Sequence, residues 1–340
     1  MRLGFGLLTC QRYPGDPRSD VDLYREALEL AEEGERLGLD TVWVSEHHFL
    51  DDSYMPSLLP LCAAIAARTS RIRIGTGVLL APLYASPVRL AEDAATVDLI
   101  SAGRLILGLG LGWREEEFEG LGVPKRGLGR RMEQIVTTLR QAWSDGLVTE
   151  GVAGPGISVT PKPAGPASPA LWLGAFAEQG VRRAGRMADG FLSSRADPAL
   201  LALQARWLRE ELERAGRDPA AFEIGANVTV FAWPDAEEGW RLVRDHVHYV
   251  RWKYIDMAPA RARTGPPPPA PPLDPSEEEL LRSTMLCGTP AEVAEGIRAY
   301  DEAAGGRLHF LARLYWPGLA HDVQREALRV YAEEVAPLLR

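Results

Sequence analysis

The sequence predicts an α/β fold, specifically a closed (β/α)8 TIM barrel, on three observations. Short apolar runs alternate with longer amphipathic stretches along nearly all of the 340 residues. This alternation is typical of strand–helix–strand crossovers and a parallel sheet. Eight such pairs can be counted, whereas an open doubly wound sheet usually has fewer, and the length suits one barrel of about 250 residues with insertions.

The predicted strands are short runs rich in apolar residues. They cover residues 3–8, 41–45, 72–78, 104–109, 170–174, 190–193, 222–231 and 308–314. The first helix illustrates the helical pattern, because its apolar residues from Leu23 to Leu37 share one face and Gly38 follows as a stop signal. Pro87 suits the first turn of the third helix. The predicted helices cover residues 22–37, 57–68, 87–100, 129–143, 178–187, 198–215, 235–254 and 323–339, with one or two more within 276–300.

Three segments interrupt this alternation. They are residues 112–131 after strand four, 147–168 before strand five and 257–275 between strands seven and eight. The last contains GPPPPAPPLDP, which favours a polyproline II spacer without a core of its own. A surface linker and a lid over the site both fit this composition. We expect a single domain over residues 1–340, with 257–275 as the proline-rich insertion or lid.

Composition excludes several classes of function. The net charge of −9 argues against a nucleic-acid partner, because binding to phosphate backbones requires clustered Lys and Arg. No apolar run reaches the roughly 18 residues of a membrane span. The amino-terminal MRLGFGLLTCQRYPG indicates a strand and not a signal peptide, so we expect a cytoplasmic protein. Cys10, Cys62 and Cys287 are too few and too scattered for disulfides or a zinc site.

The densest polar group at a predicted strand end is Glu46, His47 and His48, within VSEHHF. In such barrels the chemistry lies at the carboxyl ends of the strands. Consecutive strand residues face opposite sides, which argues against two adjacent histidines binding one metal. One histidine as an acid–base group and two packing histidines are the remaining alternatives. The other strand-end candidates are Thr9, Cys10, Gly77, Val78, residues 110–113, Ala175, Phe176, residues 193–195, Tyr315 and Trp316.

Two glycine-rich segments suggest ligand contacts. LGLGLGW, residues 107–113, lacks the GxGxxG spacing of a dinucleotide site, so its glycines favour either the close approach of a flat group or a tight turn. LWLGAFAEQGVRRAGRMADG, residues 171–190, places a glycine at a strand end just before a helix. A helix amino terminus can bind phosphate, although every barrel helix offers one.

Together these segments resemble the bacterial luciferase-like monooxygenase family, flavin-dependent (β/α)8 enzymes. The resemblance rests on VSEHHF, IRIGTGVLLAPLYASPVRLAEDAATVDLISAGRLILGLGLGWREEEF and LWLGAFAEQGVRRAGRMADG, in this order. It implies a non-proline cis peptide at Gly77–Val78 beneath the flavin ring and a phosphate at the helix that begins near Ala177. The cofactor-binding residues it implies are Gly77, Val78, Gly110, Ala175, Phe176, Ala177 and Gln179.

The same resemblance assigns catalytic roles to His47 and Glu46. His47 matches the histidine that luciferases place near the flavin C4a position, where oxygen adds to reduced flavin. It implies that His47 assists proton transfer, that Glu46 tunes or orients it, and that His48 lies behind it.

Two departures from the family leave the cofactor open between FMN and F420. Leu111 stands where luciferases have an arginine at the phosphate, and the phosphate turn lacks Ser and Thr. The leading hypothesis is a monooxygenase that receives reduced FMN from a separate flavin reductase and oxidises a small, largely apolar substrate. The alternatives are an F420-dependent oxidoreductase, a non-catalytic flavin-binding protein and a barrel hydrolase. Family resemblance also implies a homodimer, paired through the alanine-rich helices at 57–68 and 87–100.

Overall fold

The computed structural model describes residues 1–152, 154–166, 168–194, 197–259 and 265–340. Within these ranges the strands form one parallel sheet. The strands are β1 (Arg2–Leu8), β2 (Thr41–Val44), β3 (Arg73–Thr76), β4 (Leu79–Leu80), β5 (Leu105–Gly110), β6 (Ala170–Ala175), β7 (Gly190–Ser193), β8 (Glu223–Ala232), β9 (Leu286–Gly288) and β10 (Leu308–Arg313).

Pairing between the first and last strands of the sheet closes it into a barrel. The order runs β10-β1-β2-β3-β5-β6-β7-β8, and β8 pairs in turn with β10, from Leu308 opposite Ile224 to Arg313 opposite Thr229. The predicted (β/α)8 TIM barrel is therefore confirmed. The short β4 pairs with the end of β5, and β9 adds a strand beside the end of β8.

Helices follow the barrel strands, and most begin where the sequence predicts them. They are α1 (Asp20–Arg36), α2 (Leu58–Arg68), α3 (Pro87–Ile100), α4 (Glu115–Gly120), α5 (Leu128–Trp143), α6 (Glu178–Met187), α7 (Pro198–Arg214), α8 (Ala236–Asp256), α9 (Pro275–Thr284), α10 (Pro290–Ala303) and α11 (His321–Val330). The side chain of Ser19 caps α1 and that of Thr289 caps α10, each in a reciprocal capping box.

Most predicted boundaries differ from the observed ones by one or two residues, and two of the differences have a clear structural reason. The third strand was expected to continue to Val78, but it ends at Thr76, before a cis peptide bond between Gly77 and Val78. The last helix was expected to run to residue 339. Instead α11 ends at Val330 and continues as a π-helical turn (Tyr331–Val335) and a 3-10 turn, because Pro337 has no N–H to donate to a regular α-helix.

Apolar side chains fill the interior of the barrel, so it is not a channel. The interior cluster consists of Leu7, Trp43, Ile106, Trp172, Leu192 and Leu311. The ring centroids of Trp43 and Trp172 lie 5.4 Å apart. A ligand must therefore bind on top of this cluster, at one end of the barrel.

Ion pairs close the amino-terminal end of the barrel. Glu223 accepts a hydrogen bond from Arg73 Nη1 at 3.2 Å. Its carboxylate also lies 3.4 Å from Nδ1 of buried His309. Burial would raise the pKa of Glu223, but the bond with His309 and the charges of Arg73 and Arg2 lower it to about 2. A cavity of about 590 Å³ beside this network is lined by charged groups. This end of a barrel generally serves stability, and catalysis belongs to the other end.

The proline-rich insertion packs along α8 where the structure describes it. His248 Nε2 lies 2.7 Å from the carbonyl oxygen of Pro271, and Pro267 is buried. Residues 260–264 lie outside the described ranges, and whether the segment covers the site stays a prediction. No helix in the described part of the chain is long and apolar enough to cross a membrane.

Some alanines of the two helices predicted to form a dimer interface are instead packed inside the chain. Ala91, Ala94 and Ala95 on α3 are fully buried, packed within the chain itself. Leu99 and Ile100, at the end of the same helix, are 43% and 49% exposed. The homodimer remains a prediction, and these two apolar side chains are better candidates for its contacts.

Candidate active site

His47 lies just beyond the carboxyl end of β2, and its ring is held by a carboxylate from another element. The side chain is only 5% exposed, and its Nδ1 lies 2.7 Å from Oε1 of Glu117 on α4. The same oxygen accepts the backbone N–H of His48 at 3.1 Å. Glu117 is fully buried. The two residues form a buried histidine–carboxylate pair at the carboxyl face of the barrel.

The ionisation of Glu117 fixes which nitrogen of His47 carries the proton in this pair. Burial would raise the pKa of Glu117, but the hydrogen bond with His47, the backbone N–H of His48 and the charge of Arg114 lower it overall. An ionised carboxylate can only accept, so Nδ1 of His47 is the donor. Nε2 makes no hydrogen bond with a described residue, and it is the nitrogen free to exchange a proton with a ligand.

Aromatic side chains enclose the His47 ring. The ring centroids of Tyr54, Tyr254 and Trp113 lie 5.0, 5.6 and 6.0 Å from that of His47, all edge-on. The hydroxyl of Tyr54 donates to Ser45 Oγ at 3.2 Å and lies 3.4 Å from the hydroxyl of Tyr254. Trp113 is 42% exposed. The enclosure suits an organic ligand with a large apolar part.

Glu46 does not contact His47 as the family resemblance implied. Its Oε1 accepts the backbone N–H of Leu80 at 2.6 Å and lies 4.0 Å from Nε2 of His48. Burial raises the pKa of Glu46 to about 8, helped by the charge of Glu117 and opposed by the Leu80 N–H. No hydrogen bond joins Glu46 to His47 among the described residues, so that Glu46 tunes or orients His47 stays a prediction without a direct contact behind it. Glu46 anchors β4, and Glu117 holds the histidine.

Sequence reasoning missed Glu117 and its neighbour Arg114. Arg114 is 2% exposed, donates to the carbonyl oxygens of His48 at 2.5 Å and Met257 at 2.9 Å, and pairs with Glu116. Within REEEFEG nothing distinguished one glutamate from the next. Arg114 precedes α4 and Glu117 is its third residue, and their charged groups lie 3.8 Å apart, a contact that the spacing alone does not single out.

The peptide bond between Gly77 and Val78 is cis, as the family resemblance implied. Val78 packs on the interior cluster and forms the floor of the site. A Cβ at Gly110 would lie 2.2 Å from Val78 Cγ2, and one at Gly174 would lie 2.7 Å from Val78 Cγ1. The glycines of residues 107–113 were expected to allow either a flat ligand or a tight turn. The space at Gly110 is filled by Val78, so its role as a cofactor-binding residue stays a prediction.

The remaining predicted cofactor contacts surround the start of α6. Ala175 is half-buried, whereas Phe176, Ala177 and Gln179 are exposed. Gln204 Nε2 donates to the carbonyl oxygen of Phe176 at 3.0 Å and fixes this turn. No side chain caps α6, and the Gly180 N–H donates to the carbonyl oxygen of Ala177 at 2.9 Å, which leaves the N–H groups of Glu178 and Gln179 to donate to an anion. Arg195, another strand-end candidate, lies outside the described residues. Among the residues that the structure describes, no group of His, Cys, Asp and Glu is arranged to hold a metal ion.

Comparisons with known proteins agree with this geometry. Residues 1–307 match the family described as luciferase-like monooxygenase. The oxygenase component of a flavin-dependent trigonelline monooxygenase from Acinetobacter baylyi is 29% identical over 175 residues, 50% of this chain and 48% of that protein. The chain thus matches about half the length of that relative. An F420-dependent glucose-6-phosphate dehydrogenase from Nakamurella multipartita is 28% identical over 337 residues, 93% of this chain and 92% of that protein. The crystal structure of the monooxygenase RslO1 from Streptomyces bottropensis superposes with a TM-score of 0.85, at 22% identity and 99% coverage of both chains.

Proposed function

This chain belongs to the luciferase-like monooxygenase family and is an oxidoreductase, and on that premise we propose that it is the oxygenase of a two-component system. It uses reduced FMN and O2 to oxidise a small, largely apolar organic molecule, and a separate flavin reductase supplies the reduced FMN. The observation that carries this proposal is the buried His47–Glu117 pair within an aromatic enclosure. The pair lies at the carboxyl face of the barrel, where such enzymes place their chemistry.

The residues present fit FMN. Val78 offers an apolar floor to a flat ring, and the glycines at 110 and 174 allow the Val78 side chain to lie close to the sheet. The uncapped start of α6 offers backbone N–H groups to the phosphate. The negative charge of Glu178 in this first turn is offset by Arg182, whose Nε lies 2.8 Å away. When bound, reduced FMN supplies the electrons for oxygen activation.

The protein's own contribution is proton handling in a water-poor site. Glu117 holds the imidazole of His47 by its Nδ1–H, so Nε2 can accept a proton from the substrate and return it. The carboxylate stabilises the charged imidazolium that forms when Nε2 is protonated. Tyr54, Tyr254 and Trp113 surround the same ring and limit the access of water.

The test of this proposal is His47→Ala, assayed with reduced FMN, oxygen and a panel of small aromatic and alicyclic compounds. We expect FMN affinity to stay within about twofold. Substrate oxidation should fall by about 10²- to 10⁴-fold, the usual loss for an acid–base group. His321→Ala is the matched control, because His321 lies on α11 and pairs with Glu29. Unchanged turnover in His47→Ala would remove the catalytic assignment.

An F420-dependent oxidoreductase is the second candidate, favoured by the near full-length match to an F420-dependent dehydrogenase. In that reaction His47 would take up the proton released as a hydride leaves the substrate. Absorbance titrations of the apo-protein with FMN, reduced FMN and F420 separate the two candidates. Tight F420 binding, with substrate-dependent F420 reduction and no oxygen consumption, contradicts the monooxygenase.

A further inference from the structure

Arg313, a cation near the site, has no counter-ion among the described residues. Two buried cations near the carboxyl end of the barrel are paired: Arg114 with Glu116, and Lys253 with Asp51. Arg313 makes no ion pair and no hydrogen bond with any residue in the described ranges. Its Nε is buried from solvent and has no hydrogen-bond partner. This guanidinium is therefore available to an external anion.

The side chain of Arg313 points toward the candidate site. Arg313 is the last residue of β10, two positions after Leu311, which belongs to the interior cluster. Because strand side chains alternate, Arg313 shares the inward face with Leu311 but lies at the carboxyl end. Its Cζ lies 5.5 Å from the ring centroid of Tyr254, and the His47 ring lies 5.6 Å from the same centroid. The cation and the histidine thus contact one tyrosine.

A second polar atom nearby also lacks a partner. Oδ1 of Asn227 is buried and makes no hydrogen bond with a described residue. Asn227 lies on β8 opposite Leu311, two positions before Thr229, which is opposite Arg313. Buried polar groups are normally hydrogen-bonded, and an unpartnered buried donor of a charged group is costly. An anionic ligand that reaches this side of the barrel would accept from the Arg313 Nε–H, whereas Oδ1 of Asn227 needs a donor such as a hydroxyl group of the same molecule.

We propose that Arg313 binds an anionic group of the substrate, a carboxylate or a phosphate monoester. The planar guanidinium fork matches such a group in geometry as well as charge. Anchoring the anion there places the apolar remainder of the molecule along Tyr254, within reach of His47. The substrate is then an organic acid whose charged end faces β8 and β10. That it is oxidised rests on the proposed function, but the anion site does not.

The phosphate of the cofactor is the competing source of an anion. The expected phosphate position is the start of α6, which follows β6, whereas Arg313 ends β10. In the sheet order, β7 and β8 separate β6 from β10. The two anions would therefore occupy different sides of the barrel, and substitution of Arg313 should affect only one of them.

The experiment uses benzoate and inorganic phosphate as anionic probes and benzamide as a neutral probe of the same shape as benzoate. Arginine Nε–H signals in ¹H–¹⁵N spectra report the site, with the Arg313 signal identified from Arg313→Lys. We expect saturable shifts of that signal with benzoate or phosphate, and none with benzamide. By calorimetry, Arg313→Gln should weaken anion binding about 10- to 100-fold, as expected for a charge-assisted pair. Arg206→Gln, an exposed arginine on α7, is the matched control.

Three results would overturn the proposal. They are equal anion affinity in Arg313→Gln and the parent protein, equal affinity for benzamide and benzoate, and a tenfold loss of FMN affinity in Arg313→Gln with riboflavin affinity unchanged. The last result would assign Arg313 to the cofactor phosphate. Thermal unfolding of both Arg313 variants checks that they fold. A protein that binds benzoate through Arg313 but forms no oxidised product from any compound of the panel with reduced FMN and oxygen keeps the anion site and refutes the monooxygenase.

Discussion

Glu46→Gln should change how the stability of this protein depends on pH. Glu46 is 4% exposed; its Oε1 accepts the Leu80 N–H and lies 4.0 Å from Nε2 of His48, and burial lowers the pKa of that histidine, which favours its neutral form. Burial raises the pKa of Glu46 from an ordinary 4.5 to about 8. Glutamine has the same shape, accepts the same N–H through its carbonyl oxygen and does not ionise. The substitution therefore isolates the ionisation of this one group.

The sign and size of the effect follow from the two pKa values of Glu46. Below pH 4.5 the carboxyl of Glu46 is protonated in both the folded protein and the unfolded chain, so it does not change the free energy of unfolding. Between pH 4.5 and about 8 the unfolded chain ionises while the folded protein keeps the proton, so stability falls as pH rises. The fall is about 1.4 kcal/mol per pH unit and about 5 kcal/mol in all. Above pH 8 both states are ionised and the loss is complete.

Urea unfolding at pH 5, 6, 7 and 8 measures this effect. The free energy of unfolding of Glu46→Gln minus that of the parent protein should grow with pH by several kcal/mol across this range. Glu35→Gln is the control: burial opposes ionisation there, but the N–H groups of Ile72, Arg71 and Ser70 lower the pKa of Glu35 to about 2. The free energy of unfolding of Glu35→Gln minus that of the parent protein should stay constant from pH 5 to pH 8. A constant difference for Glu46→Gln as well would refute the reasoning.

Three further predictions concern catalysis and assembly. Glu117→Gln keeps the shape of the His47 partner but removes its charge, and it should lower substrate oxidation about 10- to 100-fold with unchanged FMN binding; equal formation of oxidised product would contradict this. Light scattering should give twice the 37.3 kDa of one chain, whereas a mass of 37.3 kDa at micromolar concentration would exclude the homodimer. Shortening the proline-rich insertion should raise uncoupled hydrogen peroxide release without loss of FMN binding; unchanged coupling would make the segment a linker.

The positions of the strands and helices could be predicted, because the spacing of apolar residues along the sequence indicates them. Contacts between residues distant in the chain could not be predicted in this way. The eight barrel strands follow from apolar runs between amphipathic helices, and the position of His47 follows from the end of β2. Glu117 is distant from His47 in the chain, and the bond between them exists only because α4 folds back over that strand end. The raised pKa of Glu46 likewise depends on burial by β4, which the predicted boundaries of the third strand did not include.

Arg114 connects the acid–base pair to the proline-rich insertion. It donates to the carbonyl oxygen of His48, next to His47, and to that of Met257, where the insertion begins. A second buried link, between Lys253 and Asp51, joins α8 to the same loop after β2. Breaking one partner of such a buried pair typically costs about 3–5 kcal/mol, so the end of α8 cannot move freely from that loop. Movement of the insertion at Met257 must therefore also displace the loop that carries His47. If the insertion closes over the site, that closure changes the position of the acid–base group.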